Sequence, residues 1–587
     1  MVFLLFLGQR DIATSHEARV AETAREMAVT GWPWSCRATL TPPVVLVHAL
    51  GMDRLKPDLS APPIAVNAWA IPLLNGEIRL QKPPLPYWCA AVLYRLFGFS
   101  EFATRVTPAL LGALGTLLMY DLARLLIGRT KAYLAVLVWI STYFIPDEYR
   151  KSMADPYLAF FTLACIWAWV RESQNTVTCP RPSSPPCLRA FVPSCLILFY
   201  LSLALGLLAK GPPLFLHLAI ALIAFHFCFR RKIPGSVKSH LLGLALLLVI
   251  ALPWPLYVRH HIKNAVELWR YESVGELADN VENARPWWFY LPNIFFIALP
   301  WAAAEITGVF VVLARPTIRR RRLFPLIWLG TTVLFFSFVN LKKNPYLLPA
   351  TPAQTLLIAE GLAAALAVAA RSRRVTWGGI VLAIQTTIGV VCAVALMVVV
   401  RTHTAHPPWA TAFSVVVLLA SCWPIVLLQL PNPRRWLRGQ VAAYVLLTLG
   451  IMFCVETEMD NARSAKALCA ELALKADAPN TAILRSRLPE EVAVYLPIDS
   501  DDRAAMATHL LVVVEDDSSA NDRLKQGGDP PIPDPETFAA SVPDGRVIFV
   551  DRVPMNSAPG DSRWKVYELT VERMRYARRT ADFVSSR

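Results

Sequence analysis

Two carboxylates stand beside long apolar runs: Glu17, in HEAR, and Asp155, in RKSMADPY. A carboxylate in such a place can act as a general base, holding an acceptor hydroxyl or amine and taking its proton as a bond to an electrophilic carbon forms. The plainer reading of Glu17 is a pair with Arg19 or Arg25 on a solvated face. A second group is cationic: Lys82 in QKPPLPYW, Lys210 in LLAKGPP, and Lys342 with Lys343 in NLKKNPYLLP. Each is next to proline or glycine, where the backbone leaves regular helix and a charge can face a cavity. A phosphate at membrane depth needs such cations, although flanking lysines also snorkel to the interface with no further role. Arg285, just before PWWFY, offers bidentate contacts to a phosphate, unless that stretch is only an interfacial aromatic belt. His260, His261, His403 and His406 have no metal-ligand company nearby in sequence and read as interfacial histidines. A divalent metal is therefore an open option that the sequence does not support.

The elements that must position these residues are membrane helices. Of 587 residues, 55% are hydrophobic and 17% charged, and the mean hydropathy is +0.43. This apolar excess goes beyond what a soluble core requires. The formal charge of +15 gathers in short clusters between apolar runs, such as Arg230–Lys232 and Arg319–Arg322, which is the positive-inside pattern rather than a nucleic-acid footprint. The 11 cysteines are scattered without a CxxC pair, so neither a disulfide framework nor a zinc cluster is expected.

Apolar runs of spanning length fall at 106–127, 131–147, 154–172, 191–209, 212–229, 239–258, 289–313, 323–341, 346–368, 376–400, 409–430 and 440–456. MVFLLFLGQRD reads as the outer end of a truncated first span, which brings the expectation to about thirteen transmembrane helices. The basic connections, at Arg124–Lys131, Arg171–Arg189, Arg230–Lys238, Arg315–Arg322, Arg371–Arg374 and Arg434–Arg438, then all share one side. The segments carrying the unusual polar residues share the other. This alternation holds if YWCAAVLYRLFGF does not cross; 84–99, and the amphipathic stretch 15–30, read as interfacial helices on the outward side. PRPSSPPC near Pro180 reads as a cytoplasmic linker. After Glu456 the composition turns polar, with short β-branched strings such as HLLVVVE and RVIFVDR around a helical stretch. The chain thus divides into a transmembrane domain, 1–456, and a small extracytoplasmic α/β domain, 457–587.

HEARVAETAREM, NGEIRLQKPPLPYW, MADPYLAFF, LLAKGPP, LPWPLYV, ARPWWFY and NLKKNPYLLPATP, in this order, resemble the polyprenyl-phosphate-dependent glycosyltransferases of the GT-C class. The resemblance is to the branch that holds the aminoarabinose transferase of lipid A and the protein O-mannosyltransferases. It implies an all-α polytopic fold and inverting transfer of a sugar from a polyprenyl phosphate, undecaprenyl phosphate in particular, to a lipid, glycan or protein acceptor at the outer face of the cytoplasmic membrane.

The family's acidic pair in the first outward loop reads Asp-Glu with the aspartate as base. Here it reads His16-Glu17, so either Glu17 substitutes or His16 itself acts. Asp155 matches the acidic residue of the second loop. Lys82, Arg285 and Tyr346 match positions that hold the donor phosphate, and Lys210 and Lys343 match basic positions of the same cavity. Gln81 stands where some relatives carry a carboxylate proposed to bind metal, so no metal carries over. The stretch from Trp34 to Ile71 looks inserted and is expected to alter acceptor access. Two other functions suit the same helices: a lipid or solute transporter, disfavoured because no internal repeat is seen, and an inactive lipid-binding relative, suggested by His16.

Overall fold

The computed structural model describes residues 2–33, 38–40, 64–75, 77–178, 195–262, 264–270, 285–314, 320–371, 375–403, 408–428, 433–477, 481–483, 490–496, 509–515, 545–552 and 564–573. Among these, six helices are long and apolar enough to cross a membrane: Glu101–Ile127, Val237–His261, Asn344–Ala369, Trp377–Thr402, Pro408–Leu428 and Pro433–Ala476. The apolar stretch expected to span at 289–313 is instead two helices, Trp287–Ile297 and Ala302–Leu313, bent by 109° at their break. The chain is thus a mostly helical polytopic membrane protein. Val2–Gly8 makes turns rather than the end of a span, tucking Phe3 and Leu7 into the core. The PRPSSPPC linker lies outside the described residues.

Helix contact within the bundle relies on small residues. A Cβ on Gly361 would lie 2.1 Å from the Ala304 carbonyl oxygen, and one on Gly308 2.1 Å from that of Leu357. Ala302–Leu313 and Thr351–Ala369 therefore touch backbone to backbone, as expected where apolar lipid supplies no hydrophobic drive between helices. Polar groups buried in the same region bond one another: Gln354 Nε2 donates to Glu305 Oε1 (3.1 Å), and Gln385 Nε2 donates to the Tyr444 hydroxyl (2.8 Å).

Two further helices pack on one another. Ser15–Val29 is rich in alanine and packs closely on Leu85–Phe97, with Val20, Ala24, Met27 and Ala28 against Trp69, Tyr87, Ala90, Ala91 and Tyr94. Gly98, at φ +80°, ends the second helix in a conformation that glycine adopts without a Cβ penalty. Ser100 then caps Glu101–Ile127 by accepting from the Ala103 amide (3.1 Å). Of the stretch 34–71, Ala38–Leu40 pairs antiparallel with Ile64–Val66, and most of the remainder lies outside the described residues.

Beyond the last apolar helix, four strands form one sheet in the order Thr481–Ile483, His509–Glu515, Trp564–Arg573, Gly545–Arg552. The first pair is parallel and the others antiparallel. Helix Lys466–Ala476 joins this unit through a core of Leu468, Cys469, Leu472, Val492, Ala493, Leu496 and Leu511. It docks on helix Ser15–Val29 and the segment before it: Arg25 Nη2 donates to the Ala493 carbonyl (2.7 Å), and the Ile12 amide donates to the Tyr495 hydroxyl (2.7 Å).

Candidate active site

A cavity of about 1540 Å³ opens where Ser15–Val29, the loops around Lys82 and Asp155, the Lys210 turn and the Lys343 segment meet. Each wall follows from local sequence. Helix Cys195–Lys210 stops because Gly211 adopts φ +76° and Pro212-Pro213 starts a new helix, which leaves Lys210 at the cavity with its charge on a helix C-terminus. Lys343 is fixed through its backbone by a single hydroxyl. Tyr290 donates to the Lys343 carbonyl (3.0 Å) and accepts from its amide (3.1 Å).

The lining brings together His16, Lys82, Asp155, Lys210, Lys343 and Tyr346, six of the eight residues singled out from sequence. Asp155 is buried and forms a short ion pair with Lys210. The Lys210 ammonium also sits 5.4 Å from the centre of the Tyr346 ring, a cation–π contact that orients both side chains. Burial against the wall, together with Lys343 and Arg19, holds the His16 imidazole below its ordinary pKa, with Asp155 pulling the other way. The ring is thus neutral at pH 7, with a free nitrogen lone pair to offer as a base.

Glu17 is elsewhere. It is 1% exposed and does not line the cavity. Its two oxygens accept from Arg105 Nε (3.0 Å) and Nη2 (2.9 Å), from Arg10 Nη2 (3.3 Å) and from the Ser152 amide (2.9 Å). The surface pairing with Arg19 or Arg25 weighed from sequence is likewise not what these bonds form; Arg25 pairs with Glu22 (2.8 Å). Burial works to raise the Glu17 carboxyl, but Arg105, Arg10 and the hydrogen bonds from Arg105 and Ser152 outweigh it and hold the pKa at about 2. A carboxylate so acidic and so fully bonded ties down the loop that leads to Asp155.

Arg285 also stands away from the cavity. It is exposed, with its guanidinium 5.2 Å from the centre of the Phe289 ring, and its carbonyl accepts from Lys342 Nζ (3.0 Å). Lys342 is turned inward to backbone oxygens and does not share the cavity with Lys343. Sequence reasoning passed over Arg19 and Arg79, which add two cations to the lining, and His217. Arg19 was read only as a partner for Glu17, although its place three residues after His16 puts both on one helix face. Among the described residues no group of three or more His, Cys, Asp or Glu is arranged to hold a metal ion.

The lining also carries hydrocarbon, from Leu207, Leu216, Leu247, Leu248, Phe335 and Phe336 among others. Cations and hydrocarbon in one lining suit an amphiphile with an anionic head. The family model for dolichyl-phosphate-mannose-protein mannosyltransferase matches residues 81–257, the segment carrying Lys82, Asp155 and Lys210. Over 462 residues the chain is 26% identical to an undecaprenyl phosphate-alpha-4-amino-4-deoxy-L-arabinose arabinosyl transferase of Aeromonas salmonicida, covering 76% of this chain and 74% of that one. The fold superposes on a crystal structure of ArnT from Cupriavidus metallidurans bound to undecaprenyl phosphate, with a TM-score of 0.66, 19% identity, and coverage of 97% of this chain and 96% of that one.

These likenesses support a glycosyltransferase of the GT-C class. The chain spans about half, 55%, of a protein of Aquifex aeolicus to which it is 29% identical over 297 residues.

Proposed function

We propose that the chain moves a sugar from a polyprenyl phosphate to a lipid, glycan or protein acceptor at the outer face of the cytoplasmic membrane, with inversion at the anomeric carbon. Undecaprenyl phosphate, the lipid carrier named for the arabinosyl transferases it resembles, is the donor lipid on this reading. The observation that carries the proposal is one cavity lined by a neutral imidazole, the cations Lys82, Lys210 and Lys343, and hydrocarbon side chains.

The acceptor oxygen or nitrogen attacks the anomeric carbon, and the bond from that carbon to the phosphate oxygen breaks. The electron pair leaves with the polyprenyl phosphate. Since the leaving group departs as an anion, it gains more from fixed cations than from an acid, and Lys82 and Lys343 supply that field with Arg285 joining them only if its segment moves. Tyr346 and Lys210 hold one another beside the phosphate position. His16 takes the acceptor's proton, and the nearby Asp155 charge stabilises the imidazolium that forms. Asp155 is itself paired with Lys210, which disfavours a covalent sugar on its carboxylate and hence favours single-step inversion. Glu17 serves as a positioning residue rather than a base. The unit from 457 to 587 is read as an extracytoplasmic domain that braces the outward helices.

The test is transfer itself. Purified protein in lipid nanodiscs is incubated with radiolabelled polyprenyl-phosphate sugars and extracted envelope lipids, glycans and proteins. Label moving to one acceptor class, with equimolar polyprenyl phosphate released, supports the proposal. Label staying on every donor, with the protein folded, contradicts it.

A further inference from the structure

His217 is buried, 2% exposed, in the first turns of helix Pro213–Phe229, and it lines the cavity. Its Nδ1 has no hydrogen-bond partner among the described residues. Buried ring nitrogens are normally satisfied, because an orphaned polar atom costs about 1–3 kcal/mol. Leu216 and Phe336 share its wall, Leu214 and Leu218 flank it on the helix, and the charged groups of the lining that act on it are Lys210 and Asp155, neither of which bonds its Nδ1.

Its place relative to the cations is set by stacked rings. The imidazole lies on Phe336, with centroids 5.3 Å apart and planes at 27°. Phe336 packs on Tyr346 at 5.6 Å, and Tyr346 lies under the Lys210 ammonium at 5.4 Å. His217 is therefore linked through two rings to the Lys210 ammonium, in a cavity whose lining also includes the hydrocarbon of Leu207, Leu247 and Leu248. A polar atom held there without a partner matches a ligand that brings both an anionic group and hydrocarbon into this cavity.

We propose that His217 binds the donor lipid's phosphate, its ring N–H donating to a phosphate oxygen on the prenyl side. This rests on the reading of the cavity as a polyprenyl-phosphate site. The competing explanation is an imidazole that merely fills space against Phe336.

The experiment measures thermal stabilisation of the full chain in nanodiscs by undecaprenyl phosphate, by the corresponding prenyl alcohol and by inorganic phosphate. His217→Phe keeps the ring and its stack but removes both nitrogens; His217→Gln restores a donor of similar reach. The expected result is that His217→Phe melts at or above the wild-type temperature without ligand, binds undecaprenyl phosphate about tenfold more weakly, and leaves prenyl alcohol binding unchanged, while His217→Gln recovers part of the loss. Should His217→Phe fail to fold, His217→Leu and the glutamine variant carry the same comparison. Unchanged undecaprenyl phosphate binding in His217→Phe overturns the inference alone, as does an equal loss for the alcohol. Wild-type protein that undecaprenyl phosphate fails to stabilise overturns both the inference and the reading beneath it. Stabilisation by inorganic phosphate that is equally sensitive to His217 replaces the lipid phosphate with a free one and also overturns it.

Discussion

Glu17 and Arg105, 88 residues apart in sequence and each 1% exposed, meet through two parallel hydrogen bonds of 3.0 and 2.9 Å. The guanidinium also donates to the carbonyls of Leu7 (3.4 Å) and Asp11 (3.0 Å), and the carboxylate accepts from the Ser152 amide (2.9 Å). One buried pair thus joins the N-terminal turns, helix Ser15–Val29, helix Glu101–Ile127 and the loop that ends at Asp155. Breaking such a pair by removing one partner leaves an uncompensated buried charge, at a cost of about 3–5 kcal/mol.

Glu17→Gln is accordingly expected to lower stability and with it activity, without altering the pH dependence of whatever activity remains. The sign of the wild-type pH effect follows from the carboxyl being held at about 2 against an ordinary value near 4.5. Its stabilisation is full above about pH 4.5 and is lost as pH falls toward 2, amounting to about 3 kcal/mol. Melting curves in detergent between pH 5 and 3 should fall more steeply for wild type than for Glu17→Gln. Parallel curves would contradict this assignment.

His16→Asp gives a sharper test of chemistry. If His16 is the base, activity is lost as pH falls through the imidazole pKa, which burial, Lys343 and Arg19 hold below its usual 6.5. An aspartate in the same place titrates in the carboxylate range, so the acidic limb of kcat/KM should move to lower pH while activity near pH 7 survives. An acidic limb that does not move would exclude His16 from proton transfer.

Lys343→Ala and Lys82→Ala should each weaken donor binding by about tenfold, the size of one charge-assisted contact to phosphate. Arg285→Ala should do less than either, since its guanidinium rests on Phe289 outside the cavity. Titration with undecaprenyl phosphate ranks the three variants. Arg285 as the most damaging substitution would mean that donor binding draws its segment inward.

Much of this site was legible in the sequence because its signals are local. Lysines beside proline or glycine at membrane depth, as at Lys82, Lys210 and Lys343, announce broken helices facing a cavity, and all three line it. The fate of Glu17 was not legible, because its partner Arg105 lies in a different helix and nothing in HEAR reveals it. The Arg285 amide donates to the Asn340 carbonyl (3.3 Å), which ties its segment to the one carrying Lys343, yet of the two side chains only Lys343 reaches the cavity, a choice made by tertiary packing. His217 was hidden for a simpler reason: a lone histidine in PLFLHLAIAL reads as core. The membrane count was blurred where apolar runs hide breaks, as between Ile297 and Ala302.

Gly361→Ala tests the packing that holds the bundle. An added methyl would press within 2.1 Å of the Ala304 carbonyl, backbone that cannot swing aside. The expected cost is about 1–3 kcal/mol or more, read as a lowered melting temperature in detergent. Gly330→Ala, with open space around its Cβ, is the control and should melt as wild type.

The central claim is that His16 takes the acceptor's proton as sugar leaves the polyprenyl phosphate in this cavity. A single-turnover assay with bound donor and saturating acceptor tests it most directly, following released polyprenyl phosphate for wild type and His16→Ala. The account predicts transfer in the wild type and a rate about a hundredfold to ten-thousandfold lower in His16→Ala with donor affinity retained. Release at the wild-type rate by His16→Ala would contradict it.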